Sequence, residues 1–156
     1  MARLRTIHVF DLDGVLVDSS HRYRNLPNGA IDLDYWLANR TAENIAKDKL
    51  LPFAKKYRRD VAADHIYTVI CTARQDMPED VAYIVSHLGA PDKLIMRRAG
   101  DNTPDGQLKR RELARLFNLR QFSHLPRFFW DDNPKNLVAC FDLFTRVFHI
   151  QSNQGA

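Results

Sequence analysis

Hydrophobic residues recur along the chain in two alternating rhythms. Short apolar runs rich in β-branched and aromatic residues fall at residues 6–10 (TIHVF), 67–71 (YTVIC), 93–96 (KLIM), 127–130 (RFFW) and 146–150 (RVFHI). Runs of this length and composition predict buried strands. Between them, apolar positions take helical spacing. Pro52 suits the first turn of a helix continuing as FAKKYRRDVA, with Phe53 and Tyr57 four residues apart. Pro78 opens EDVAYIVSHLG, and Gly89 supplies a C-cap. Residues 107–118 set Leu108, Leu113, Leu116 and Phe117 on one side, away from Arg110, Arg111 and Arg115. Pro134 opens a further helix, KNLVACFDLF.

Strands alternating with helices predict an α/β fold: a Rossmann-like, three-layer parallel sheet with helices on both faces. One domain over residues 1–156 suits the length. The stretch between Asp18 and Ile66 is too long for one crossover helix. Residues 19–64 therefore predict either a small helical cap insertion or a longer helical connection. Within it, Asn28-Gly29 marks a turn, and Asp32 suits the N-cap of a helix carrying Tyr35, Trp36 and Leu37. Tyr35 and Trp36 would pack the cap or stack on a base. In a parallel α/β sheet, ligands bind outside the carboxyl ends of the strands. Asp11, Thr72 and Asp131 all fall there.

Composition narrows the class. Apolar residues make up 45% and charged residues 27% of 156, an ordinary globular balance. No apolar run is long enough to span a membrane, and no cleavable leader is expected, since the apolar stretch in MARLRTIHVF runs straight into the aspartates. A cytoplasmic protein is expected, in the host cytoplasm if the source is viral. Cys71 and Cys140 sit in apolar surroundings and read as buried thiols of a reducing compartment. The histidines lack zinc-ligand spacing, and His8 and His149 lie in strand patterns. Net charge is +4, and residues 97–127 alone hold eight Lys/Arg against three acids. That segment is either a site for an anionic partner or a solvated helix face.

The stretch VFDLDGVLVDSS carries the chemistry. Asp11 and Asp13 stand two residues apart where the first strand ends, and Gly14 permits the backbone to turn sharply away. An ionised carboxylate can attack phosphorus to form an acyl phosphate. A second, protonated carboxyl can serve the leaving oxygen and then a water. Paired carboxylates repel, and a divalent metal would offset that repulsion. Hard oxygen ligands point to Mg²⁺.

VFDLDGVLVDS resembles the first motif of the haloacid dehalogenase superfamily of phosphohydrolases. VICTAR resembles the second motif, Lys109 in DGQLKRR the third, and FFWDDNPKN the fourth. The resemblance implies a Mg²⁺-dependent phosphomonoesterase with Asp11 as nucleophile and Asp13 as acid/base. It implies that Thr72 and Lys109 hold the transferring phosphoryl group, and that Asp11, Asp131 and the backbone carbonyl of Asp13 bind the metal. Asp132 and Asn136 would support them. A narrower resemblance covers IVSHLGAPDKLIMRRAGDNTPDGQLKRREL, which is similar to the phosphatase part of bacteriophage polynucleotide kinase/3′-phosphatases. Arg74, Gly100-Asp101 and Asp105 are the shared features. No G-x-x-x-x-G-K-[ST] occurs in these residues, so no kinase half is expected in them, and Asn133 stands where that enzyme has an arginine.

This resemblance implies removal of a 3′-phosphate from a nucleic-acid end. A 5′-nucleotidase acting on (deoxy)nucleoside monophosphates is the alternative. A non-catalytic nucleic-acid binding module using Arg110, Arg111 and Arg115 is a third reading. Arg74 would clamp a phosphate or pair with Asp76 or Asp80. Arg97 and Arg98, after the third strand, would face the mouth of the site or the solvent.

Overall fold

The computed structural model describes residues 3–151. Its strands are β1 (Thr6–Phe10), β2 (Val17–Asp18), β3 (Lys49–Leu50), β4 (Ile66–Gln75), β5 (Lys93–Arg97), β6 (Arg127–Asp131) and β7 (Arg146–His149). Its helices are α1 (Leu33–Ala38), α2 (Ala42–Ile45), α3 (Ala54–Val61), α4 (Pro78–Tyr83), α5 (Asp105–Phe117) and α6 (Pro134–Cys140). The main sheet runs β5-β4-β1-β6-β7, and every pairing in it is parallel. Strand order reverses beside β1, so the crevice at the carboxyl ends of β1 and β6 is the expected ligand position.

The pleat explains the layers. Successive side chains of a strand point to opposite faces. Ile7 and Val9 of β1, with Val69, Cys71 and Phe129, pack on one face under Leu113, Leu116 and Phe117 of α5 and Leu137 and Cys140 of α6. Phe10, Ile70 and Trp130 pack on the other, under Ala54 and Tyr57 of α3 and Tyr83 and Ile84 around α4. His8 bonds Asp60 on α3 at 2.7 Å, and the His149 ring meets the Asp132 carbonyl at 3.1 Å, so both serve the framework. Cys71 and Cys140 are buried free thiols; burial pushes both up, Cys140 to about 11.

Residues 19–48 lie between β2 and β3, which pair antiparallel. This insertion carries a short 3-10 turn (Ser20–Arg22), α1 and α2. Asp32 caps α1 by accepting from the Tyr35 N–H at 3.1 Å. The following helix, α3, packs on the sheet, so the stretch expected as a cap holds both an insertion and a crossover helix. Pro52 lies in the turn before α3, whose N-cap is Phe53. After α4 the chain continues as a π turn (Ile84–Leu88) and ends at Gly89, φ +99°, which only glycine adopts readily.

One strand is longer than its apolar pattern. β4 continues past Cys71 through Thr72 and Arg74 to Gln75, with a register shift against β5 between Cys71 and Gln75. Thr72 and Arg74 break the apolar run, yet both are buried. Among the described residues, no helix is long and apolar enough to cross a membrane.

Candidate active site

The alternation that builds the sheet also aims its acids. Asp131 ends β6 on the face of Phe129, and the Asp11 N–H donates to the Trp130 carbonyl at 2.9 Å, holding the two strand ends level. Lys109 reaches both from α5. Its Nζ donates to Asp11 Oδ1 and to Asp131 Oδ2, each at 2.8 Å. Asn136 Nδ2 donates to Asp131 Oδ2 at 3.1 Å, and the Asn133 N–H donates to Asp131 Oδ1 at 2.8 Å. The Asn133 side chain accepts from the Lys135 N–H at 3.0 Å and so caps α6. The stretch DDNPKN thus opens a helix and orients a carboxylate at once.

Gly106 lets α5 come this close to α6. A Cβ there would stand 3.0 Å from Ala139 Cβ and 3.5 Å from Asn136 Oδ1. Gly14 has a different task. With φ +81°, it turns the chain immediately after the aspartate pair, and its N–H donates to the Val17 carbonyl at 2.9 Å.

Carboxylate oxygens of Asp11, Asp131 and Asp132 lie within 4.8 Å of one another. Three carboxylates against one ammonium leave two negative charges in a largely buried site. Burial pushes the Asp11 carboxyl well above the ordinary range; Lys109 opposes this, while Asp131 and Asp132 add to it. Burial likewise raises Asp132, which shares a hydrogen bond with Asp11. The Lys109 ammonium would lose its charge to burial alone, but Asp11 and Asp131 outweigh that and hold its pKa well above the ordinary lysine value. When all three carboxyls are ionised, this all-oxygen donor set is two charges short of neutral and fits a hard divalent cation such as Mg²⁺. Asp132, expected as a supporting residue, stands inside this cluster. The Asp13 side chain does not; it turns to Arg74.

Arg74 is buried and grips Asp13 with two nitrogens, Nε to Oδ2 at 2.9 Å and Nη2 to Oδ1 at 2.6 Å. The Ser19 hydroxyl donates to the same Oδ1 at 2.6 Å. Burial would raise Asp13, but the Arg74 charge and hydrogen bonds outweigh it and hold the carboxyl below the ordinary range. Arg74 also donates to Asp80 at 2.6 Å, one of its two expected partners, and to Asp48 at 3.0 Å, which the sequence did not suggest. Buried Thr72 accepts the Arg74 N–H at 3.2 Å; its own proton has no other partner among the described residues.

Arg97 and Arg98 are not brought to this cluster. The Arg97 guanidinium is committed to the loop before α5, donating to the carbonyls of Ala73, Asp101 and Thr103 and to Asp105 Oδ1 at 2.6–3.0 Å. Arg98 is exposed. The residues that sequence reasoning missed are Arg22 and Asp48, both buried, which bond each other and adjoin Arg74. A charged residue between polar neighbours carries no local sign of burial.

This architecture is that of the haloacid dehalogenase-like hydrolases. The chain superposes on a chain of the Pnkp1/Rnl/Hen1 RNA repair complex with TM-score 0.66 at 18% identity, covering 96% of this chain and 44% of that one. This chain therefore spans less than half of that relative. A haloacid dehalogenase-like family hydrolase from Streptococcus pneumoniae aligns with TM-score 0.64 at 13% identity, over 99% of this chain and 88% of its own. A family enzyme from Bacteroides thetaiotaomicron, solved as a magnesium complex, gives TM-score 0.52 at 10% identity, over 99% and 96%. No curated protein sequence matches the chain. Residues 1–126 match the profile of the bacteriophage T5 5′-deoxynucleotidase family, and the chain belongs to that family.

Proposed function

We propose that the protein is a Mg²⁺-dependent phosphomonoesterase that releases phosphate from deoxynucleoside 5′-monophosphates through a phospho-aspartate on Asp11. The observation that carries this reading is the convergence of Asp11, Lys109, Asp131 and Asp132 on one point at the ends of β1 and β6, within a chain of the 5′-deoxynucleotidase family. Asp11 attacks phosphorus; the ester P–O bond breaks, and its electron pair leaves with the oxygen, which takes a proton from the protonated fraction of Asp13, a carboxyl that Arg74 and Ser19 hold mostly ionised. Water then attacks the phosphorus of the acyl phosphate, giving its proton to Asp13, and inorganic phosphate departs from the restored Asp11 carboxylate. Lys109 and the Thr72 hydroxyl donate to the phosphoryl oxygens, where negative charge must be balanced. Asp11 and Asp131, with Asp132 and the Asp13 carbonyl, would hold Mg²⁺, which would supply charge neutralisation for the phosphoryl group.

The resemblance to bacteriophage polynucleotide 3′-phosphatases, together with the basic segment, points instead to a 3′-phosphorylated nucleic-acid end. Three of that segment's cations have local partners, on exposed side chains: Arg110 bonds Asp142, Arg111 bonds Asp101 at 2.7 Å, and Arg115 pairs with Glu112 at 3.4 Å. Those pairs favour a mononucleotide over a polymer bound through many phosphates, and count equally against a nucleic-acid binding module. The test is a phosphate-release panel of deoxynucleoside 5′-monophosphates, 3′- and 5′-phosphorylated oligonucleotides and sugar phosphates, with Mg²⁺ and with chelator. Release is expected chiefly from the monophosphates, only with Mg²⁺, and not by Asp11→Asn. Preferential release from 3′-phosphorylated ends overturns the substrate assignment; retained turnover by Asp11→Asn overturns the mechanism.

A further inference from the structure

A cluster of buried charges ties the insertion to the acid/base carboxyl. Arg22 lies just after β2 and Asp48 just before β3, so they stand at the two roots of the insertion. Arg22 Nε and Nη2 donate to the two oxygens of Asp48, each at 2.9 Å. Asp48 Oδ2 also accepts Arg74 Nη2 at 3.0 Å, and the Tyr83 hydroxyl donates to the Asp48 carbonyl at 2.6 Å. Trp36 of α1 roofs the cluster, 4.4 Å from the Arg22 guanidinium and 5.8 Å from that of Arg74. Arg22 is 1% exposed, and the Asp48 side chain is fully buried.

Every nitrogen of the Arg74 fork is assigned: Nη1 to Asp80, Nη2 to Asp48 and Asp13, and Nε to Asp13. A planar guanidinium held on one edge has its other edge fixed, and a carboxylate bound by two nitrogens takes its plane from that edge. Asp48 on Nη2, together with Asp80 on Nη1, holds the edge opposite Asp13, so Asp48 helps set the aim of Asp13 without touching any reacting atom. A general acid must lie within hydrogen-bond reach of the leaving oxygen, and a displacement of about 1 Å can cost roughly 100-fold in rate.

We infer that Asp48, braced by Arg22, is a positioning residue for phosphoryl transfer, acting through Arg74 on the Asp13 carboxyl, so that the roots of the insertion set the geometry of the acid/base. The inference rests on the roles given above to Asp11 and Asp13.

The test compares leaving groups in the full-length enzyme with Mg²⁺. A deoxynucleoside 5′-monophosphate expels a basic alkoxide and needs the proton of Asp13; 2,4-dinitrophenyl phosphate expels a stable anion and does not. In Asp48→Asn, kcat on the nucleotide is expected to fall about 10- to 100-fold with KM within about threefold. The rate of the first-turnover burst of dinitrophenolate is expected to stay within about threefold of the parent. Equal losses on both esters would reduce Asp48 to a structural residue, and unchanged nucleotide turnover would remove it from the reaction; either result overturns the inference. Should Asp48→Asn not fold, Arg22→Lys keeps the charge but loses the two-nitrogen grip, and is judged by the same two rates. A parent enzyme that turns over neither ester overturns the reading of the site itself.

Discussion

Replacing Lys109 with methionine isolates the charge balance of the site. The change keeps most of the side chain's apolar length and removes an ammonium that donates to Asp11 and Asp131 at 2.8 Å each. Lys109 is 1% exposed, so water cannot take its place without rearrangement. Removing one partner of a buried ion pair costs about 3–5 kcal/mol, because the other charge stays behind. With a urea slope of about 2 kcal/mol/M, such a loss lowers the unfolding midpoint by about 2 M at pH 8 in chelator. The deficit must also depend on pH. Burial already raises the Asp11 carboxyl in the parent, and Lys109 opposes that rise, so without Lys109 the folded pKa climbs further. An acid whose folded pKa is raised contributes stability at low pH and loses it as pH rises through the folded value. The gap between variant and parent therefore shrinks from pH 8 to pH 5.5, by at most about 1.4 kcal/mol per pH unit for each proton taken up. Urea unfolding followed by circular dichroism at both pH values reads the two numbers. A midpoint shift under about 0.5 M at pH 8, or an equal shift at both pH values, would refute Lys109 as the balancing charge.

Three further outcomes follow from the same geometry. The chelated parent should lose stability as pH rises above the ordinary carboxylate range, because Asp11 and Asp132 are both raised, whereas the lowered Asp13 and Asp60 matter only at more acid pH. Saturating Mg²⁺ should flatten that slope and stabilise the fold by about 2.7 kcal/mol at a hundredfold excess over Kd; calorimetry showing no Mg²⁺ effect on Tm at pH 7 would count against the carboxylate cluster as the metal site. Gly106→Ala should cost about 1–3 kcal/mol, since its methyl meets Ala139 at 3.0 Å and must push α6 and Asn136 away from Asp131. A neutral effect in denaturant unfolding would show that the two helices separate freely.

Much of this protein is written in short-range pattern. Five apolar runs and the helices between them are local periodicities, and burial of both sheet faces makes the runs continuous enough to read. Asp11 and Asp131 were legible because each sits at or beside a strand end in a recognisable motif, whereas Thr72 inside β4 and Lys109 inside α5 were picked out by motif alone; the pleat then carries Asp11 and Asp131 to the face that α5 covers. Folding decided what lies between distant segments. Arg74 meets Asp13 across 61 positions and Asp48 across 26, and Arg22 meets Asp48 across another 26. Arg97, expected at the mouth, closes its own loop, because the Ala73, Asp101 and Thr103 carbonyls and Asp105 converge on it. β4 runs on through Thr72, which accepts the Arg74 N–H, and Arg74, whose guanidinium is fully bonded inside the fold. Periodicity records only which face a residue takes. Which charge it meets there depends on loop closure between segments far apart in the chain, and that is set by the packed structure.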